Sequence, residues 1–359
     1  MTDRTRIFAA VALTVLLFLG VQLGALALVE PFDASDRQAV ENPDDPVNSA
    51  IYFVVILAAT GVMLAAFKYD AQWFIRALII GVSTMLAWFV FLELLPPAVT
   101  VGSVNVLAAL AAVAVGAALL LYPEWYVIDG AGVLMGAGAA GLFGISFGLL
   151  PAIIFLSVLA VYDAISVYKT EHMLDLAEGV MDLRIPVVLV VPTTLSYSYL
   201  ASDSTDGVLE DEKSSEATPV EDGGNATADD SDALAGEGRE SDDPSTERDE
   251  PDDPAGEPDA ALERDALFIG LGDAVIPTIL VASAASFLEV GTLDVPVLAV
   301  NVPALGAIVG TITGLLVLMY MVLQGRPHAG LPLLNGGAIT GYLLGALASG
   351  LPLLTALGL

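Results

Sequence analysis

Apolar residues fall along this chain in long blocks, separated by short polar breaks and by one extended polar segment. The blocks lie at roughly 7–28, 50–67, 76–95, 100–121, 126–145, 148–168, 266–289, 298–323 and 331–357. About 20 apolar residues wound as a helix cross roughly 30 Å of hydrocarbon, and a helix satisfies its own backbone there. The pattern therefore predicts an all-α polytopic membrane protein with nine transmembrane helices. The fifth and sixth blocks run together through Gly148 and Pro151, so their boundary is soft. Three regions are expected: helices one to six over 1–168, a cytoplasmic loop over 169–265, and helices seven to nine over 266–359.

The loop has two parts. Its stretch MDLRIPVVLVVP, residues 181–192, holds a β-branched run between prolines that is too short to span and reads as a strand. That strand, Ile185, Pro186, Val187, Val188, Leu189, Val190 and Val191, is a candidate for holding an extended peptide by edge addition. From 202 to 265 the composition turns to Asp, Glu, Ser, Gly and Pro without periodicity, which predicts a disordered, solvated insertion with no part in chemistry.

Charge fixes the sidedness, because short cytoplasmic loops collect Lys and Arg. With the N-terminus cytoplasmic, Arg4, Arg6, Lys68, Arg76, Lys169, Arg184, the basic residues of the acidic insertion and Arg326 all fall inside, and only Arg37 falls outside. An odd number of spans places the C-terminus outside. The first block could be a signal peptide cleaved near Ala25-Leu26-Ala27, but its apolar core of about 22 residues favours an uncleaved anchor.

Mean hydropathy is +0.75 although the net charge is -31. The two are segregated: residues 203–265 hold 24 acidic side chains against four basic ones. An acidic excess with only three lysines suggests adaptation to high salt, where carboxylates hold water and their repulsion is screened, as in a halophilic archaeon. The chain has no cysteine, and its two histidines, His172 and His328, stand too far apart in sequence to suggest zinc. No nucleic-acid partner is expected.

Glycine pairs spaced four apart, 132 with 136 and 144 with 148, suggest close helix packing in the fifth span. Asp129, at the start of that span, reads as an interfacial residue. Glu93 and Glu289 also lie near span ends, where snorkelling makes a charge cheap.

Two acids remain well inside apolar blocks: Asp163 in IFLSVLAVYDAISVY and Asp273 in LFIGLGDAVIP. A carboxylate in hydrocarbon costs at least about 2.5 kcal/mol, so it faces a partner or a wet cavity. The sixth helix runs inward and the seventh outward, and both meet the large loop. Asp163 stands about five residues and Asp273 about seven from the loop ends, so at 1.5 Å per residue their depths agree within roughly 3 Å. Gly270 and Gly272 permit close approach beside Asp273 and leave room for substrate. Two carboxyl groups a few Å apart tend to share one proton. Such a pair suits peptide hydrolysis, one member accepting a proton from attacking water while the other donates to the carbonyl oxygen. On residues alone, a carboxylate-based, proton-coupled transporter explains two intramembrane aspartates equally well.

Tyr162-Asp163 and Gly270-Leu271-Gly272-Asp273 resemble the YD and GxGD signatures of the presenilin and signal peptide peptidase family, the intramembrane aspartyl proteases. The stretches GLGDAVIP and IPVVLVVP resemble signal peptide peptidases in the same places. Where that family has Pro-Ala-Leu before its last helix, this chain has Ala329-Gly330-Leu331 followed by Pro332, in PHAGLPLLNGGAITGY. A literal Pro303-Ala304-Leu305 also occurs, but charge and span order put it on the outer face. The resemblance implies a presenilin-like, archaeal member that cuts transmembrane-helix substrates within the lipid bilayer of the cell membrane, with Asp163 and Asp273 as catalytic pair. It implies that Tyr162, Gly270, Leu271, Gly272, Ala329, Gly330, Leu331 and Pro332 shape the site, and that no cofactor, metal or obligatory partner subunit is needed.

Overall fold

The computed structural model describes residues 3–69, 71–102, 104–169, 186–193, 266–324 and 329–359. The acidic insertion, His172, Ile185, Arg326 and His328 lie outside the described residues.

The chain is mostly helical. Its first half runs α1 (Asp3–Ala34), α2 (Val47–Lys68), α3 (Gln72–Leu94), a short hairpin β1 (Thr100–Val101) and β2 (Val104–Asn105), then α4 (Val106–Leu121), α5 (Trp125–Ser146) and α6 (Leu149–Lys169). The second half runs β3 (Val188–Pro192), β4 (Ala266–Gly270), α7 (Leu271–Phe287), the hairpin β5 (Thr292–Val295) and β6 (Leu298–Asn301), α8 (Val302–Leu323), α9 (Gly330–Ala348) and the short α10 (Leu353–Ala356). Among the described residues seven helices are long and apolar enough to cross a membrane. α4 and α7 are apolar but shorter, at 16 and 17 residues.

Three apolar blocks begin as β structure where the hydropathy pattern predicts helix, and each has a local cause. In the fourth, Gly102 turns with φ +64°, and Asn105 caps α4 by accepting from the Leu107 and Ala108 N–H groups. In the eighth, β6 ends at Asn301, whose side chain accepts from the Ala304 N–H and donates to the Ala284 and Leu288 carbonyls. This one buried amide joins the end of α7 to the start of α8. In the seventh, residues 266–270 pair with β3, and the helix starts only after Gly270. The ninth block stops at Ala348, before Gly350 turns with φ +83°, and the chain returns so that the Tyr342 hydroxyl donates to the Ala356 carbonyl at 2.6 Å.

Small residues set the packing. α5 is the central helix, lying against α1, α3 and α7. A Cβ on Gly136 would press on Val21 and Val275, and one on Gly144 would collide with Ala282, so these predicted glycines do bring helices together, whereas Gly148 lies past the end of α5 and packs on Pro43 and Asp44 instead of on a helix. The closest approach joins α8 to α9. There Gly306, Gly310 and Gly314 face Gly341, Gly337 and the Leu333 carbonyl, backbone to backbone.

Gly341→Leu is expected to destabilise the protein by at least about 1–3 kcal/mol, because the new side chain meets the Gly306 carbonyl and nothing flexible can yield. Gly336→Leu, which projects into open space, should stay within about 0.5 kcal/mol. Thermal unfolding in detergent measures both.

Candidate active site

Asp163 is carried six residues before the end of α6, half-buried, with Tyr162 beside it stacking edge-on against Phe53 of α2 at 5.8 Å. Its partner comes from another helix. The first turn of α9 exposes N–H groups that no preceding carbonyl can reach, and Ala329, at the N-cap, offers no side-chain cap. Asp163 Oδ2 fills that role, accepting the Leu331 N–H at 3.1 Å. A carboxylate at a helix N-terminus is favoured by the helix dipole as well as by the bond itself. Pro332, also in this first turn, removes an N–H that the helix would not have used.

Asp273 is the third residue of α7 and half-buried. Two glycines flank its carboxyl group. A Cβ on Gly330 would lie 3.4 Å from Asp273 Oδ2, and one on Gly270 would lie 3.6 Å from it. Asp163 and Asp273 reach neighbouring residues of α9, Leu331 and Gly330. The structure thus brings both aspartates, Gly270, Gly330 and Leu331 to one place, where α6, α7 and α9 meet. Leu271 points away from it and packs on Gly132 and Gly136 of α5. Gly272 is exposed, with no neighbour nearer to a Cβ than Ile276 at 3.9 Å, so the close approach falls at Gly270 and the space lies at Gly272.

The route to Asp273 differs from the one expected. The depth comparison treated 266–272 as helix, but residues 266–270 are a strand, which advances about 3.3 Å per residue. Strand β3 is likewise shifted from 185–191 to Val188–Pro192 and is already paired. It runs antiparallel to β4 with Val188 opposite Gly270 and Pro192 opposite Ala266, and the Leu271 N–H donates to the Val187 carbonyl at 2.7 Å. Pro186 and Val187 form the turn before it, and Leu189, Val190 and Val191 are buried.

Two polar residues near the site were not expected there. Asp129 is only 3% exposed and accepts the Val190 N–H at 2.7 Å, so it is a buried anchor for β3 instead of an interfacial residue. Asn335, fully buried one turn after Leu331, donates to the Leu156 carbonyl at 3.0 Å and ties α9 to α6 a second time. Its spacing from Leu331, one helical turn, was a readable signal. Pro303 starts α8 at the end opposite the one leading to α9, about 33 Å away for a 22-residue helix. It takes no part in this cluster.

A carboxylate pair set among the ends of apolar helices, with one member bonded to a neighbouring helix N-terminus, is the equipment of an aspartic protease placed inside a membrane. The sequence agrees over nearly its whole length: residues 15–351 match the family described as signal-peptide peptidase, presenilin aspartyl protease, and the chain belongs to that family. Two crystal structures of a presenilin family intramembrane aspartate protease are similar to it. One is 30% identical with a TM-score of 0.58, covering 94% of this chain and 99% of its own. The other is 32% identical with a TM-score of 0.54, covering 93% and 96%. No protein with a curated description matches. The chain is therefore a multi-pass membrane aspartic endopeptidase, and the transporter reading is not favoured.

Gly330→Val should cut the proteolytic kcat by about tenfold or more, because added methyls press on Asp273 and Leu318. Pro303→Ala should stay within about threefold, since a change that distant couples weakly to the site. Initial rates on a membrane-spanning reporter distinguish them.

Proposed function

We propose that Asp163 and Asp273 are the catalytic pair, and that they hydrolyse peptide bonds of transmembrane helices with water as nucleophile. The observation that carries this is the junction of three sequence motifs at one point: Asp163 on the Leu331 N–H, with Asp273 against Gly330. One carboxylate takes a proton from water as it attacks the carbonyl carbon. The other, protonated, donates to the carbonyl oxygen and then assists the departing amine. Ala329, Gly330, Leu331 and Pro332 form the floor, Gly270 and Gly272 leave width for the substrate backbone, and Tyr162 steadies the α6 side.

A helical substrate has every amide bonded internally, so the segment to be cut must first unwind. The sheet β3–β4 is the surface suited to hold it extended. β4 ends at Gly270, beside Asp273, so a segment held against this sheet is delivered to the catalytic pair.

In the bilayer α4 and α7 act as spans alongside the seven longer helices, giving nine, with the N-terminus cytoplasmic and the C-terminus outside. The domain order follows: helices over 1–168, the cytoplasmic loop over 169–265 and helices over 266–359. The enzyme resides in the cell membrane, works without an obligatory partner subunit, and its acidic surplus suits the high salt of a halophilic archaeon.

In vesicles with a single-span reporter, Asp163→Asn and Asp273→Asn should each lower cleavage at least about a thousandfold. The wild-type rate should rise from low toward molar salt. Variants that still cut would end the assignment, and substrate-dependent proton flux lost in the same variants would restore the transporter. For orientation, the absence of native cysteine makes Glu41→Cys and Lys213→Cys single-label sites. An impermeant thiol reagent should reach position 41 from outside and position 213 only after permeabilisation; the reverse pattern overturns the topology.

A further inference from the structure

Helix α6 is packed over only part of its length. Leu149, Ala152, Phe155, Leu156 and Leu159 are buried in the core, and among the described side chains of α6 none beyond Leu159 is buried. Asp163 therefore stands on a half of the helix that the core does not enclose. There Tyr162 meets Phe53 edge-on and Asp163 accepts the Leu331 N–H, both at half-buried positions. Where Asp163 lies thus depends on the angle at which α6 leaves the core.

Asn335 acts where the packed half ends. It is fully buried, and its Nδ2 donates to the Leu156 carbonyl at 3.0 Å. That carbonyl lies inside α6, where the Ala160 N–H already reaches it, so the bond relieves no orphaned group. The other end of the same amide, Oδ1, is buried without a hydrogen-bond partner. Burying an unpaired polar oxygen is unfavourable by as much as one added hydrogen bond is favourable, so an apolar side chain of this shape would hold α9 to α6 at least as firmly. What the amide alone supplies is a fixed point, one atom of α9 tied to one atom of α6. The reference is firm, because Gly337 and Gly341 of α9 lie backbone to backbone against α8.

The effect is magnified at Asp163. Seven residues of helix separate it from Leu156, about 10 Å at 1.5 Å per residue, so a tilt of about 6° at Leu156 moves the aspartate by about 1 Å. A misplacement of about 1 Å can lower a rate about a hundredfold. We infer that Asn335 is a positioning residue for the reaction: its bond to the Leu156 carbonyl fixes where the unpacked half of α6 begins, and so holds Asp163 at the head of α9 beside Asp273. This rests on the reading that Asp163 and Asp273 are the catalytic pair. Asn335 touches no reacting atom, and it acts on turnover instead of on substrate affinity or stability.

The test is Asn335→Leu, which keeps the branched shape and removes the donor, with kcat and KM on a membrane-spanning reporter and thermal unfolding of the full chain. The kcat should fall about ten- to a hundredfold while KM stays within about twofold and the melting temperature is no lower than in wild type. Asn335→Met, whose flexible apolar side chain adapts to the same space, should repeat this pattern. The inference is overturned if either variant keeps kcat within about twofold of wild type, or if kcat falls only together with the melting temperature. Failure of both variants to fold overturns it as well, since the amide is then a structural tie. Asp163→Asn run in parallel separates the readings: if it still cuts, the catalytic pair is wrong; if it is silent while Asn335→Leu turns over like wild type, only the positioning role fails.

Discussion

Backbone amides inside a bilayer must find partners within the protein, and around the two aspartates many of those partners are not helical. The chain leaves helical geometry on both sides of the acidic insertion, at Pro186 to Pro192 and at Ala266 to Gly270. Each stretch satisfies the other in a two-stranded ladder, the Leu271 N–H closes onto Val187, and Asp129 takes the Val190 N–H. The start of α9 poses the same problem, and Asp163 answers it with the Leu331 N–H. A carboxylate that is costly in hydrocarbon is thus retained where it also satisfies a helix end. These pairings bring the end of α6 to the start of α9 and fix the start of α7 on the β3 strand.

The rest of the bundle holds that point still. Lipid offers helices no hydrophobic reason to associate, so close packing of small residues carries the load. The glycine faces of α8 and α9 bring their backbones into contact, and α9 carries Gly330 and Leu331 at its head. On the other side, Gly132, Gly136 and Gly144 let α5 nest against the β3 strand, Leu271 and Ala282. Asn335 on the Leu156 carbonyl adds a second tie between α9 and α6 below the first. The two aspartates therefore sit near helix ends whose neighbours are fixed along their length, the arrangement that would keep the proposed catalytic pair in place before substrate arrives.

Much of this was legible in the sequence because hydrocarbon penalises charge so heavily that an acid inside an apolar block stands out. Asp163 and Asp273 were found that way, and the Ala329-Gly330-Leu331 position was preferred over Pro303 from charge and span order alone. Hydropathy cannot distinguish an apolar strand from an apolar helix when both are buried, and that is why Ala266 to Gly270 read as the opening of a helix. Asp129 was misread for a related reason. Its place at the start of a span suggested water, and only the strand packed over it makes that spot dry. The unmet amide of Val190 lies 61 residues away along the chain, beyond the reach of local pattern.

The central claim is that Asp163 and Asp273 act as one unit on a tetrahedral centre. The most direct measurement is the affinity of a peptide isostere whose hydroxyl mimics that centre, taken with wild type, each Asp→Asn variant and the double variant. A transition-state mimic bound by a shared pair should lose about a hundredfold or more with either substitution and little further with both. Losses that multiply in the double variant, or unchanged affinity in either single one, would contradict a catalytic pair.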